Sequence, residues 1–346
     1  MAIVFVPLNG IGLGHLSRSF ALARELREWG DAPVIFSQGI YPEFMAAEIP
    51  GRSVGALYQV TSAQRSRIAR EIAEFARRSA PAVVIEDTHP SDIRFERDIC
   101  TLLIVRPTEL GTLRELRARE SRFFRAFLMA DHPESPTWPY DAEGTAEILS
   151  WPEWKIMGPV FRSPTPEGRE RICQKYSLRR DQPLYVFTMG GGGSQPGGHD
   201  AGLFVDRSAA IASRIENRTP GARFVFIRGP LFPPDLKVPL PFETYSVEND
   251  MPSLLAEAGG VVGRPSFNTT WESIAAGVPL MPVPGQTYFE PVADRLQRMT
   301  QAGLLTLDLD EWGDLSWRAR FRDKAAAVSS RWPLRGAAQI LRSCWT

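Results

Sequence analysis

The sequence predicts an α/β protein of two doubly wound domains, and three observations lead there. Short apolar runs of strand length alternate with longer helical patterns along most of the chain, the mark of parallel sheets covered by helices. Twice, the first strand of such a series runs into a glycine-rich loop and then a helix, at residues 9–15 and 190–194. Between the two series, residues 131–166 are rich in Pro and Trp and hold no long periodic run, which sets the domain boundary there. With 346 residues, 43% of them hydrophobic, the chain can bury two ordinary cores.

Residues 2–6 read as a buried strand by their Ile, Val and Phe content. Asn9-Gly10-Ile11-Gly12-Leu13-Gly14-His15 follows, and then a helix to about Trp29. The glycines at 10, 12 and 14 alternate and His15 follows at once, so the G-x-G-x-x-G dinucleotide fingerprint does not fit. Glycines in this place let backbone amides approach a ligand. His15 stands at the mouth of the first helix, where the positive helix end disfavours imidazolium, and a neutral ring there can take a proton from an incoming hydroxyl. The competing reading is a helix-start residue bonded to a neighbouring backbone group.

Further strands are predicted at about 33–37, 54–59, 82–86 and 101–105, with helices at about 63–78, 91–98 and 112–129. The fourth strand ends in Glu86-Asp87-Thr88-His89-Pro90 and the fifth in Arg106-Pro107-Thr108-Glu109. Both endings fall on the edge that carries His15, so Asp87, His89 and Glu109 are expected to face one cleft. Asp87 orients or charge-balances His15, binds acceptor hydroxyls, or caps the helix after Pro90; the three readings stand together. Over 112–129, Leu113, Leu116, Phe123, Phe124 and Phe127 lie among five arginines. Such a helix rests on an anionic membrane or packs its apolar face on the sheet.

In the second half, a strand at 184–188 runs into Gly190-Gly191-Gly192-Gly193-Ser194, and a helix follows over about 200–217. Glycine loses the most entropy on ordering and packs nothing, so four in a row are best explained by close approach to a diphosphate through a nest of amides. Strands at 223–227 and 243–247 lead to the stretch 259–291. There an apolar run ends at Val262, Gly263-Arg264-Pro265-Ser266 turns, and a helix opens at Asn268 or Thr269 and closes at Gly277. A second apolar run over 279–284 ends in a polar loop with Gln286 and Glu290. Residues 263–270 form a candidate phosphate seat, since unpaired amides at a helix N-terminus favour an anion. A carboxylate there is repelled by phosphate; Glu272 and Glu290 instead suit the vicinal hydroxyls of a ribose or hexose, at roughly 1.5–3 kcal/mol per charge-assisted bond. Glu272 equally suits a residue that complements the helix dipole. A final helix is expected over about 334–344, after Trp332-Pro333.

Lys and Arg number 40 and Asp and Glu 40, so bulk electrostatics gives no support to a nucleic-acid partner. Cys100, Cys173 and Cys344 are isolated, which argues against a disulfide framework or a zinc site and fits a reducing cytoplasm. The opening MAIVFVPLNG lacks a basic n-region and no later run approaches membrane-spanning length, so a soluble or peripheral protein is expected. No Asp-x-Asp pair reads as an obvious metal site.

The order Arg264, Thr269, Glu272, Ala275, Gly277, Pro279 resembles the nucleotide-sugar signature of GT-B glycosyltransferases, most closely the N-acetylglucosaminyltransferases that make lipid II. Val247-Glu248-Asn249-Asp250-Met251 resembles that family's turn against the nucleobase, and Met157-Gly158-Pro159-Val160-Phe161-Arg162 resembles its interdomain crossing. Ser194-Gln195 resembles the end of its glycine loop. Pro291 departs from it, since many relatives carry Gln there. Gly12 to Arg18 and Asp87 to Arg97 resemble the nucleotide-sugar hydrolase of pseudaminic acid synthesis, in which the matching His is the base that activates water.

These resemblances imply a GT-B fold with two Rossmann-like domains facing a central cleft. Residues 1–160 would bind the acceptor and 161–330 the donor, while 331–346 would cross back to the first domain. Implied donor contacts to nucleotide and diphosphate are Arg162, Gly191, Gly192, Gly193, Ser194, Val247, Met251, Arg264, Ser266, Asn268, Thr269 and Glu272, with Gln286 and Glu290 at the donor sugar. Arg162 otherwise reads as an ordinary linker cation. His15 and Asp87 are the catalytic candidates, and Gly12, Gly14, His89 and Glu109 those for the acceptor side. The implied reaction is an inverting, metal-independent transfer from a nucleoside diphosphate sugar, UDP-linked by resemblance. The acceptor is a hydroxyl or amine of a small molecule, such as a secondary metabolite, or of a lipid-linked sugar. No cofactor beyond that co-substrate is expected. A hydrolase with water as acceptor and a non-catalytic nucleotide-sugar sensor remain as alternatives; the sensor has no need of a base at position 15.

Overall fold

The computed structural model describes residues 2–7, 14–37, 43–53, 62–78, 82–88, 90, 99–179, 181–191, 200–229, 232–283, 285 and 291–345. The chain divides into two compact units. The first runs to Val160 and takes in Pro291 and the segment from Trp332 onward; the second runs from Phe161 to Arg331, apart from the stretch at Pro291.

The first unit begins with β1 (Ala2–Val6), α1 (Gly14–Glu28), β2 (Ala32–Ser37), α2 (Glu43–Glu48), β3 (Gly51–Ser53), α3 (Ser62–Arg78), β4 (Ala82–Asp87) and β5 (Cys100–Val105). It continues with α4 (Leu110–Glu120), β6 (Ala126–Met129), α5 (Ala142–Leu149) and β7 (Trp154–Ile156). Its seven strands lie in the order β3-β2-β1-β4-β5-β6-β7, each pair parallel. Near-continuous apolar runs such as Ile3-Val4-Phe5-Val6 and Leu102-Leu103-Ile104-Val105 are what a sheet covered on both faces requires, and all eight residues are buried.

The second unit holds α6 (Pro166–Lys175), β8 (Leu184–Thr188), α7 (Ala201–Arg218), β9 (Arg223–Ile227), β10 (Phe242–Tyr245), α8 (Met251–Ala256), β11 (Gly260–Gly263), α9 (Phe267–Ala276) and β12 (Leu280–Pro282). It closes with α10 (Val292–Gln301), α11 (Leu309–Gly313) and α12 (Leu315–Ser329). Its sheet has the parallel order β10-β9-β8-β11-β12. The last helix, α13 (Leu334–Arg342), returns to the first unit and packs Ala337, Ala338 and Leu341 into the core that also holds Phe5, Phe20 and Leu26.

Both sheets thus reverse their strand order beside their first strand, between β1 and β4 in one unit and β8 and β11 in the other. In open α/β sheets, ligands bind at the carboxyl ends of the strands at such a switch point.

One expectation is overturned. Residues 112–129 do not form a single helix: α4 ends at Glu120, Ser121 to Arg125 turn the chain, and Ala126–Met129 enters the sheet beside β5. The spacing of Leu113, Leu116, Phe124 and Phe127 fits a helix, but the four-residue apolar run from Ala126 to Met129 is buried on both faces, which only a strand inside the sheet allows. Phe127 stacks on Trp154 with ring centroids 5.1 Å apart. The arginines do not form a continuous basic face either, because Arg114 pairs with Glu147 and Arg117 with Glu153. The amphipathic helix that suggested membrane contact is therefore absent from the fold. Among the described residues, no helix is long and apolar enough to cross a membrane.

Gly12, His89, Gly192, Gly193, Ser194, Gln286 and Glu290 lie outside the described residues, as do the strand expected at 54–59 and the helix expected at 91–98.

Candidate active site

In the first unit, the register pairs Val6 of β1 with Glu86 of β4. The chain leaving β1 therefore emerges beside Asp87, and α1 starts there with Gly14 and His15. His15 Nδ1 lies 2.9 Å from Asp87 Oδ1 and 3.5 Å from Arg18 Nη2. The shorter contact, to an acceptor-only carboxylate, assigns the proton to Nδ1, so His15 donates to Asp87 and Nε2 keeps a lone pair. Both side chains are buried. Burial pushes the imidazole below its ordinary range; Asp87 pulls it back up by hydrogen bond and charge, while Arg106 and Arg18 push it down, and the net direction is down. Burial alone would raise the Asp87 carboxyl, but Arg18 and then His15 outweigh it and hold the group well below the usual carboxylate range.

No sequence pattern assigns Arg18 a role of its own. The available signal is its place three residues after His15, which puts both on one helix face. Asp87 engages both oxygens with His15, Arg18 and Thr88, so it is committed to this cluster. Glu109 is the exposed residue before α4 and makes no side-chain cap to that helix.

In the second unit, Thr188 of β8 pairs with Gly263 of β11, and the Arg264 N–H donates to the Thr188 carbonyl at 3.3 Å. This brings the start of the glycine run beside the turn after β11. A side chain at Gly263 would place its Cβ 2.9 Å from the Thr188 oxygen, so the two strands can lie this close only with glycine there. Gly190 has φ +66, a conformation that suits glycine, and its N–H donates to Thr188 Oγ1 at 3.0 Å. Gly191 continues the turn. Ser266 caps α9, its Oγ accepting from the Thr269 N–H at 3.3 Å and lying 3.0 Å from Thr269 Oγ1. Asn268 sits half-buried in the first turn of that helix. Arg264 is buried and forms an ion pair with Asp200, the residue before α7.

A second group gathers around Glu272 on the same helix. Arg162 donates to the Asn249 carbonyl at 2.7 Å and reaches Glu272 Oε1 at 3.4 Å. Arg162 thus joins the 247–251 turn to Glu272. Burial pushes the Glu272 carboxyl up, Arg162 draws it down, and the charge of Asp250 adds to the rise. Val247 and Met251 are half-buried on either side of Glu248 to Asp250. Glu248 accepts from Lys175 Nζ at 2.7 Å, Tyr176 Oη at 2.6 Å and the Asp250 N–H at 2.8 Å, and Asp250 caps α8. The acids of that turn therefore hold its shape.

Nor does any sequence pattern single out Arg295. It is buried on α10, donates Nη1 to the Pro265 carbonyl at 2.9 Å and stands 5.7 Å from the Phe267 ring. It pins the turn that precedes α9 and adds a positive charge behind it. The chain's Asp308-Leu309-Asp310 does have Asp-x-Asp spacing, but Asp308 caps α11 and Asp310 pairs with Arg218. Among the described residues, no group of three or more His, Cys, Asp or Glu side chains could hold a metal ion.

No protein-family model matches the sequence, and no curated protein matches it. Solved structures do. The glycotransferase of kitacinnamycin superposes with a TM-score of 0.63 at 14% identity, covering 99% of this chain and 98% of that one. The glycosyltransferase SnogD from Streptomyces nogalater gives 0.61 at 16% identity, with 99% of both chains covered. The UDP-GlcNAc 2-epimerase from Neisseria meningitidis, bound to UDP-GlcNAc, gives 0.62 at 12% identity, again with 99% of both chains covered. At these identities the likeness establishes the fold, two Rossmann-like α/β domains of the GT-B type.

Proposed function

We propose that this chain is a glycosyltransferase that moves a sugar from a nucleoside diphosphate sugar to a hydroxyl or amine acceptor. Sugar transferases are prominent among its structural neighbours, and the fold is one they share. The observation that carries the reading is the buried His15–Asp87 pair at the switch point of the first sheet. A sensor that only binds a nucleotide sugar has no use for a neutral imidazole held by a carboxylate.

In this reading the second unit takes the donor. Gly191 and Asn268 present backbone amides to the diphosphate and Ser266 and Thr269 present hydroxyls, on a turn that Gly190 shapes, with Arg264, paired to Asp200, beside them. Glu272, with Arg162 and the 247–251 turn, takes the nucleoside and accepts from its ribose hydroxyls. The first unit takes the acceptor and supplies the base. The acceptor O–H proton passes to His15 Nε2 and the acceptor oxygen bonds to the anomeric carbon. The bond from that carbon to the diphosphate breaks, and its electron pair leaves with the nucleoside diphosphate. One such displacement inverts the anomeric centre. Fixed amides and a helix end stabilise the leaving charge, so the reaction proceeds without a metal. The resemblance of residues 247–279 to lipid II N-acetylglucosaminyltransferases supports a UDP donor. The epimerase neighbour, which is bound to UDP-GlcNAc, supplies the second reading.

Thermal shift against a panel of nucleotide sugars, with EDTA present, identifies the donor. A ligand at 100 times its Kd stabilises by about 2.7 kcal/mol. With that donor and a panel of alcohol, phenol, amine and lipid-linked acceptors, nucleoside diphosphate release should depend on acceptor. His15→Ala should lower kcat by about 10²–10⁴ while calorimetric nucleotide affinity stays the same. Interconversion of the donor sugar without acceptor would establish the epimerase reading instead. Near-full turnover by His15→Ala would remove the assigned base.

A further inference from the structure

Arg18 has no task in the reaction as written, yet it is among the largest fully buried side chains of the protein, at 2% exposure. Its Nε donates to Asp87 Oδ2 at 2.9 Å and its Nη2 to Asp87 Oδ1 at 2.5 Å, the two-pronged geometry in which guanidinium and carboxylate bind most firmly. Nη2 also reaches Thr88 Oγ1 at 3.0 Å, and the Thr88 hydroxyl donates to Asp87 Oδ1 at 2.8 Å. Thr88 does this with φ +66, a conformation that costs a residue other than glycine about 1–3 kcal/mol. Its N–H is meanwhile tied to the Ile104 carbonyl at 2.6 Å. The strain falls on the residue whose hydroxyl joins Arg18 to Asp87.

Charge balance indicates what this cluster is for. A histidine paired with a lone buried carboxylate is favoured as imidazolium, because protonation cancels the carboxylate charge. Here Arg18 has already cancelled it. The cluster is neutral with neutral His15 and carries +1 when the ring is protonated, a state that burial makes costly. The charged groups that act on His15 include Arg18 on its own helix, Asp87 at the end of β4 and Arg106 beyond β5. Two of the three are positive.

We propose that Arg18 is a positioning residue that takes up the charge of Asp87. Asp87 is then left to fix the tautomer and orientation of His15, and the ring rests neutral and protonates only alongside an anion. The nature of that anion, the departing diphosphate, rests on the transferase reading; the resting state of the ring does not.

NMR titration of His15 in the intact protein tests this directly. The chain has four histidines, and the His15 signal is the one lost in His15→Gln. Wild-type His15 should titrate below about 6.5, the ordinary histidine value. Arg18→Met should raise that value by about one pH unit or more, since Asp87 then faces the ring alone, and the acid limb of kcat/KM should move with it. Arg18→Lys, which keeps the charge, should stay near wild type. If Arg18→Met does not fold, wild-type His15 and the Lys variant still decide, and a wild-type value above 6.5 overturns the proposal. An Arg18→Met protein that is less stable but titrates like wild type would make Arg18 a structural counterion only, which also overturns it. The expected titrations with no turnover on any nucleotide sugar would uphold this charge arrangement and sink the transferase reading alone.

Discussion

Glu272 and Asp87 are buried carboxyls whose environments push them in opposite directions. Asp87 faces a bidentate arginine, so its charge stabilises the fold above the ordinary carboxylate range, and that contribution is lost as pH falls through its depressed value. Among the described residues, Glu272 meets Arg162 at 3.4 Å, and burial raises it. A carboxyl raised in the folded state weakens the fold as pH rises through its titration, so the charge of Glu272 costs stability where it forms. Hydroxyls of a bound ribose would satisfy it. Glu272→Gln should therefore raise Tm at pH 7, with the gain vanishing near pH 4, and weaken nucleotide binding roughly 10- to 1000-fold. Parallel thermal melts and calorimetry check both halves; a variant that loses stability and keeps affinity would reduce Glu272 to a residue that complements the helix dipole. Glu272 was legible in the sequence because its position after a turn and helix start is a local pattern. Arg18 was not, because its meaning depends on Asp87, 69 residues away.

At the scale of elements, the two glycine-bearing turns work only because particular strands lie side by side. β8 and β11 are far apart in sequence, yet Gly263 sits against the Thr188 carbonyl so closely that a methyl group has no room. Gly263→Ala should cost about 1–3 kcal/mol by overpacking, and by moving the Arg264–Ser266 turn it should also weaken nucleotide binding. Denaturant melts that show no loss would mean the strands can part without consequence. The strand–helix–strand reading of residues 259–284 stands, because its period, its Ser266 cap and its left-handed Gly277 are short-range signals. The reading of 112–129 fails, because period alone cannot separate a short buried strand from a helix turn; the place for β6 between β5 and β7 is created by distant residues.

For the whole molecule, the segment after Trp332 belongs to the unit that the chain left at Val160. Leu341 is fully buried in the core with Phe20 and Leu26 of α1, and the guanidinium carbons of Arg335 and Arg342 stand 5.8 and 5.5 Å from the Trp29 ring centroid. Leu341→Ala should cost the first unit about 2–5 kcal/mol. The second unit has its own core around Phe187, Phe224 and Phe226, so calorimetry should show one transition lowered and the other unmoved. A uniform shift of both would mean that the units unfold as one.

The sequence by itself determined the α/β class, the two series of strands and helices, the turn that begins at Gly190, and the candidacy of His15, Arg264 and Glu272. All of these are written in contiguous residues, where spacing, turn chemistry and capping act over a few positions. Only the tertiary structure decided that Asp87 serves Arg18 as well as His15, that Arg162 meets Glu272, that Arg295 braces the Pro265 turn, and that 126–129 is a strand. Each of these depends on which distant segments the sheet register brings together, and burial then fixes the charge that such a meeting allows.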